Sequence, residues 1–530
     1  MTKRKPQVDP DAEAIVRKSP TALTDSETPD ARHREPPLWH MFQVDLRALA
    51  AFRIGIGLVL IWDLIVRSFD LSAHYTDDGV LPRTALIDTY LSLRPYLSLH
   101  ILNGTLLFEA VLFVVAGLFA LSLIVGYRTR LASIACWFLT CSLHARNPLV
   151  VHGGDDILRM LLFWAMFVPV GARWSVDHAR RAEIDTEATT LCSWGSAGLL
   201  LQLCSMYVFS GVLKSHPSWR SEGTAVFLAL SIDQFATPIA HALLPYHGLL
   251  KVMTFGALAL EMAGPFIALF SFTSARNRTL IVGAFVGFHI GLGLCLELGI
   301  FPAVCICGWL AFLPKPVWDK LERKIERARN TLDLAAPRFV VQTAIRLLAR
   351  VPRKPLRIRE GRIAAAVAGL YLFYILMWNI RTCNFDRVEH VFPRWLNPIG
   401  EVSRVDQYWN LFAPYPSLDH GWYVLDAHLR DGDEVDLMTG KPVSWERPRL
   451  ISATYKNERW RKYLMNLWTG QFASHRPYYA QYLQRTWNEH HPAAKQVKRL
   501  EMTFVLETAL PHFQVSPQQR VRIWSQDWTL

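Results

Sequence analysis

Lys214 closes a long apolar stretch, Tyr207-Val-Phe-Ser-Gly-Val-Leu-Lys214, and Ser215-His216-Pro217-Ser218-Trp219 follow it. An ammonium set among apolar and aromatic neighbours is a candidate base, because burial favours the neutral amine. Three further groups carry donors and acceptors. They are Asp77-Asp78 within Tyr75-Thr-Asp-Asp-Gly-Val-Leu-Pro82, His152-Gly-Gly-Asp155-Asp156 after Asn147-Pro148, and His289 ahead of Glu297 and Phe301-Pro302.

Each group also has a plainer reading. Asp77-Asp78-Gly fits an Asx turn, and Asp155 or Asp156 fits a helix N-cap. Lys214 could snorkel as an interfacial anchor, and His289 could bond across two helices. Glu261 and Glu297 are costly inside apolar segments, so pairing with a cation is expected of them. Arg53, Asp63 and Arg159 read as buried charges held by partners to fix helix packing. His152, Asp155 and Asp156 offer one nitrogen and two carboxylates, whereas catalytic zinc recruits more nitrogen or sulfur, so no metal is expected.

The elements that position these residues follow from hydropathy. The chain has 530 residues, 51% of them hydrophobic, and long uncharged runs recur from 46 to 314 and again near 363–380. That is the pattern of a polytopic membrane protein. About nine spans are expected from the length needed to cross a bilayer, near 46–66, 105–126, 131–149, 156–172, 195–213, 248–271, 279–299, 301–314 and 363–381. The eighth is short, and its Phe301-Pro302 start suggests a half-helix. The fold class expected is an all-α polytopic membrane bundle with a small C-terminal extracytoplasmic α+β domain.

Charge supplies an orientation. Basic residues cluster in the 1–40 tail, at Arg128-Thr-Arg130, Arg173, Arg180-Arg181 and Arg276-Asn-Arg278, and from Lys315 to Arg362. The connections 67–104, 146–155 and 214–247 carry few cations. The bias places the N-terminal tail in the cytoplasm and 382–530 outside it, in the inner (plasma) membrane. The net charge of +12 is therefore explained by membrane orientation and anionic lipid, and no nucleic-acid partner is expected. The organisation expected is a disordered basic cytoplasmic tail without a signal peptide (1–40), a transmembrane domain (41–314), a basic cytoplasmic linker (315–362), a last span (363–381) and the outer domain (382–530). In that last domain 422–429 and 434–437 read as a hairpin, 460–468 and 478–490 as helices, and 500–510 and 520–525 as strands. Seven of the eight cysteines lie in or beside apolar segments, so no disulfide framework is evident.

An ordered series of motifs resembles a known family. Leu46-Arg-Ala-Leu-Ala-Ala-Phe-Arg53-Ile-Gly and Trp62-Asp63 are followed by Tyr75-Thr-Asp-Asp-Gly-Val-Leu-Pro82. Then come Arg173-Trp-Ser-Val-Asp177, Ser210-Gly-Val-Leu-Lys214-Ser-His-Pro-Ser-Trp219-Arg-Ser-Glu-Gly223, Phe288-His289 with Phe301-Pro302, and Gln407-Tyr-Trp-Asn-Leu-Phe412-Ala-Pro414. Across roughly 40–430 this resembles the HTTM (horizontally transferred transmembrane domain) family, bacterial membrane relatives of vitamin K-dependent gamma-carboxylase. The resemblance implies a carboxylase-like lyase and quinol epoxidase with its site outside the cytoplasm. Lys214 matches the base that deprotonates the quinol, His289 matches a family histidine, and His152 lies nearest the catalytic histidine with a small offset. Asp77, Asp78, Asp155, Asp156 and Trp219 are the substrate-binding candidates beside them. Reduced vitamin K or menaquinol is the implied cofactor, and the partners are membrane lipid and a periplasmic peptide or protein substrate. The chain departs from the carboxylase in having Leu213-Lys214 in place of a lysine doublet, a shorter outer domain and no matching cysteine pair. The rival is a non-catalytic membrane scaffold or lipid-binding module that presents the outer domain to a partner. A transporter fits less well, because no internal repeat appears and the polar residues gather at one face.

Overall fold

Among the described residues, ten helices of ten residues or more between Leu46 and Thr382 and a five-stranded sheet beyond residue 418 carry the architecture. A computed structural model describes residues 37–91, 97–180, 189–331, 360–383, 392–510 and 514–528. The expected disordered tail, up to residue 36, and most of the basic linker, 332–359, lie outside the described residues. From Met41 onward the chain forms a single unit.

Local chemistry sets many of the helix ends. Helix α1 (Leu46–Ser68) begins at Asp45, whose side chain accepts the Arg47 N–H. Helix α2 (Leu106–Val125) stops at Gly126, which takes φ +74° and so closes the last turn without a Cβ clash. It is followed by α3 (Thr129–Arg146) and α4 (Gly153–Ala165). A capping box of His152 and Asp155 starts α4, and one of Ser193 and Ser196 starts α5 (Trp194–Leu213). Such caps contribute about 1 kcal/mol each. Helices α6 (His247–Phe270), α7 (Ala275–Cys295), α8 (Phe301–Leu310), α9 (Lys315–Thr331) and α10 (Arg362–Thr382) complete the set.

Six helices are long and apolar enough to cross a membrane: α1, α2, α5, α6 with the turn after it, α7 and α10. A seventh results if α8 and the first part of α9, bent by 98°, are taken as one broken span. Three of the expected spans therefore take another form. Helix α3 has 18 residues with an arginine near each end, α4 has 13, and α8 has 10. Helix α4 packs against α3, α5 and α8, and Ile157 to Ala165 are all buried. An apolar run of that length, covered on every side, is a core helix.

A short antiparallel pair, β1 (Val44–Asp45) with β2 (Thr190–Leu191), sits before α1. The C-terminal sheet is antiparallel throughout. Strand β3 (Asp419–Leu429) lies between β4 (Glu434–Asp436) and β5 (Val497–Leu510), and β5 also pairs with β6 (Gln514–Val515) and β7 (Gln519–Asp527). Helices α11 (Glu458–Trp468) and α12 (Arg476–Glu489) accompany it. The hairpin, both helices and the two long strands match the sequence reading to within a few residues. The core of this region includes Trp422, Tyr463, Leu464 and Phe504 together with Val80, Leu81, Leu149 and Val150 from connections of the helical bundle. Asn457 caps α11 and also donates to Asp70, at 2.7 Å. The sheet region is thus built onto the bundle, and α11 is held at the junction.

Candidate functional site

A cavity of about 880 Å³ lies where α5, α6 and α7 meet the start of α4, the 410–417 segment and α11. Lys214, His289, His152 and Trp219 all line it. Lys214 is the residue just past the end of α5, and only 1% of its surface is exposed. Its Nζ donates to Ser210 Oγ at 2.7 Å and Glu261 Oε2 at 2.6 Å, and it stands 4.9 Å from the centre of the Trp219 ring. The amine therefore turns back between α5 and α6, which excludes the snorkelling reading. Trp219 is fixed by donating to the Phe412 carbonyl at 3.0 Å. Arg220 donates to the carbonyls of Gly211 and Lys214, and so satisfies the exposed end of α5.

Hydrogen bonds hold the ring of each cavity histidine. Trp309 Nε1 donates to Tyr207 Oη at 3.0 Å, and that hydroxyl lies 2.5 Å from His289 Nε2. With the Tyr207 hydrogen directed to Nε2, a neutral His289 carries its proton on Nδ1, which has no hydrogen-bond partner among the described residues. His152 Nδ1 accepts the Gly154 N–H at 3.0 Å, so its proton sits on Nε2, also without a hydrogen-bond partner. Both rings line the cavity as N–H donors.

The other candidates lie elsewhere. Asp155 is bound by Arg67 at 2.7 Å and Arg459 at 2.6 Å, and Asp63 by Arg67 at 2.8 Å and Arg459 at 2.5 Å. Tyr75 accepts from Arg67. This buried network joins α1, α4 and α11. Asp156 pairs with Arg159, which also holds Asp406. Asp77 pairs with Arg83 at 2.7 Å, and Asp78 is exposed beside it. None of these four aspartates lines the cavity. Asp63 and Arg159 are held by partners as expected, and Arg53 donates to the Trp174 carbonyl. Glu261 has the cationic partner expected of it. Glu297 does not, because α7 ends at Cys295 and leaves this residue exposed in a loop.

The family model for the HTTM domain matches residues 42–318. The chain belongs to the HTTM family. No curated protein and no solved structure matches it. Its apolar helices make it a multi-pass membrane protein.

The HTTM segment supplies Lys214, Glu261, Tyr207, His289 and His152, but the cavity is completed from beyond it by residues 410–417 and by Arg461 and Lys462 of α11. Sequence reasoning missed Tyr207, Trp309, Arg461 and Lys462. Only Glu261 carried a signal, as a carboxylate inside an apolar helix. A second cluster, Asp233, His420 and Glu507, gathers three buried groups of metal-ligating type within 4.8 Å. His420 and Glu507 face each other across β3 and β5, and Asp233 comes from the 214–247 connection. Arg447 binds Asp233 at 2.6 Å and also pairs with Glu507, filling the place a cation would take.

Proposed function

We propose that this HTTM protein carries out quinol-dependent oxygenation coupled to carboxylation at the Lys214 cavity, on the outer side of the inner membrane. One observation carries the reading: a paired, buried amine and two histidine N–H donors line one mainly apolar cavity that reaches the lipid-facing surface. Val252, with 69% of its surface exposed, and Met253 belong to the lining. A β-carbon added to Gly256, Gly287 or Gly291 would meet nothing within 4 Å, so this wall is open. A lipid-borne quinol fits such a site, its ring and tail among Phe235, Leu260, Phe288 and Leu292 and its hydroxyls toward Lys214 and His289. Reduced vitamin K or menaquinol would supply the reducing equivalents and, with oxygen, the strong base that carboxylation at carbon requires.

The chain's own residues handle the protons. Glu261 Oε2, 2.6 Å from Lys214 Nζ, can take the ammonium proton, and a low-dielectric site favours the resulting neutral pair. The free amine then accepts a hydroxyl proton. His289 Nδ1–H and His152 Nε2–H are placed to stabilise negative charge on oxygen without reorganising. The distribution of basic connections supports a cytoplasmic N-terminal tail and an outer sheet region, with access for a peptide or protein substrate.

The test uses purified protein in nanodiscs with reduced vitamin K and menaquinol, following oxygen uptake and quinone epoxide, with Lys214→Ala beside the wild type. Epoxide formed by the wild type and lost in the variant supports the reading. No turnover of either quinol by folded protein would replace it with the scaffold.

A further inference from the structure

Many buried charges in this protein form ion pairs: Arg67 and Arg459 share two aspartates, Arg159 has Asp156 and Asp406, and Lys214 has Glu261. Among the described residues Arg53, Arg146 and Arg278 are buried without one and donate to backbone carbonyls. Arg461 and Lys462 also lack an ion pair, and unlike those three they line the cavity. Arg461 is 3% exposed, donates to the Glu297 carbonyl at 2.5 Å, and stacks 4.2 Å from the centre of the Phe235 ring. Its Nε has no partner. Lys462, half-buried beside it, donates to Asn466 Oδ1 at 3.1 Å. Among the described residues neither makes an ion pair. Glu458 turns to Arg459 instead, and Asp155 and Asp156 are held by other arginines. Burial pushes the Arg461 guanidinium down to about 10. Burial and the neighbouring Arg461 together lower the Lys462 ammonium.

Both cations line the cavity, and so do the His152 ring, whose Nε2 has no hydrogen-bond partner and stands 3.7 Å from Asp155 Oδ2, and the first residues of α4, Gly153 and Gly154. Carboxylates act on both from a distance, Glu458 and Glu297 on Arg461 and Asp155 and Asp156 on Lys462, but neither cation has a direct ion pair among the described residues, and an anion bound between them would offset their desolvation. Apart from these cations and the group of Lys214, Glu261 and His289, the lining is mainly apolar and extends to exposed residues of α6 and α7.

We infer that the α11 end of the cavity binds the acid group, carboxylate or phosphate, of an amphiphile whose apolar part lies between α6 and α7. Arg461 and Lys462 lie outside the HTTM-matched segment, so this recognition is added by the C-terminal region. It goes beyond the quinol reading and does not depend on turnover.

The experiment is a thermal-unfolding titration of the full chain in non-ionic detergent, in the absence of any quinol. The probes are a long-chain fatty acid, the alkyl phosphate of the same length, the matching alcohol, and acetate. An apparent Kd follows from the stabilisation at each concentration. The acid or the phosphate should bind about tenfold or more tightly than the alcohol, as expected for charge-assisted hydrogen bonds. Lys462→Gln, whose side chain makes only the Asn466 bond, and Arg461→Gln should each remove about that factor and leave the alcohol unchanged. That difference separates lost recognition from lost folding. Lys462→Arg should keep the affinity, and Lys495→Gln, at an exposed pair, should have no effect. The inference is overturned if the alcohol matches both acids, if Lys462→Gln binds them as the wild type does, or if acetate equals the long-chain acid.

Discussion

Two buried polar regions of this protein lie close together and are built differently. In the network of Asp63, Arg67, Asp155 and Arg459, each carboxylate meets two guanidiniums and each guanidinium meets two carboxylates. Around the cavity, Lys214 has one carboxylate, His289 and His152 each keep a ring nitrogen without a hydrogen-bond partner, and Arg461 and Lys462 have no acid. The first region has its charges satisfied and joins elements distant in sequence. The second sets ring nitrogens without hydrogen-bond partners and two cations without ion pairs along a cavity, which is what binding needs. Burial alone does not separate the two, since Asp155 and Lys214 are both almost fully enclosed. The count of partners does.

That contrast can be broken at several points. Asp155→Ala should have the largest effect, because it leaves Arg67 and Arg459 short of a buried counter-charge. A loss of about 3–5 kcal/mol is expected, read as a fall in thermal midpoint and greater protease sensitivity of the C-terminal region. Glu261→Gln should destabilise by a comparable mechanism but by less, because Ser210 still accepts from Lys214. Combining it with Lys214→Met should restore most of that stability while quinol turnover stays roughly a hundredfold or more below wild type, the scale of a lost general base. A cycle in which the double variant keeps turnover would remove the proton pair from the proposed chemistry.

Smaller changes sharpen the picture. Tyr207→Phe deletes the hydroxyl that fixes His289 and should cost about 1 kcal/mol. Nitrogen NMR of labelled histidine should then show His289 as a mixture of tautomers, where the wild type shows the proton on Nδ1. An unchanged spectrum would mean that the ring is set by other contacts. Asp77→Ala, at a half-exposed pair with Arg83, should shift stability by about 0.5 kcal/mol or less. An effect on quinol turnover as large as that of Lys214→Ala would return Asp77 to the site.

The long helices were legible because hydropathy over about 20 residues is a local property. The misread spans show its limit. The segment around Ile157 is apolar enough to suggest a membrane span, but it is enclosed by three helices, and enclosure by protein and enclosure by lipid leave the same composition. Lys214, His289 and Trp219 were singled out as polar or aromatic groups at the ends of apolar runs, and the family motifs added roles to Lys214 and His289. Their convergence with His152 was not readable, because 75 residues separate Lys214 from His289 and no period links them.

What the sequence determined by itself is the membrane class, the HTTM relationship, the approximate positions of the six long apolar helices and the C-terminal hairpin, helices and strands. Each rests on neighbouring residues: runs of hydropathy, caps and alternation. The tertiary structure alone decided that Lys214 meets Glu261, that Asp155 and Asp156 belong to ion networks away from the cavity, and that α11 delivers Arg461 and Lys462 to it. Desolvated polar groups are stabilised by whichever partner the fold brings within about 3 Å, and that partner is set by packing across the whole chain, not by spacing along it.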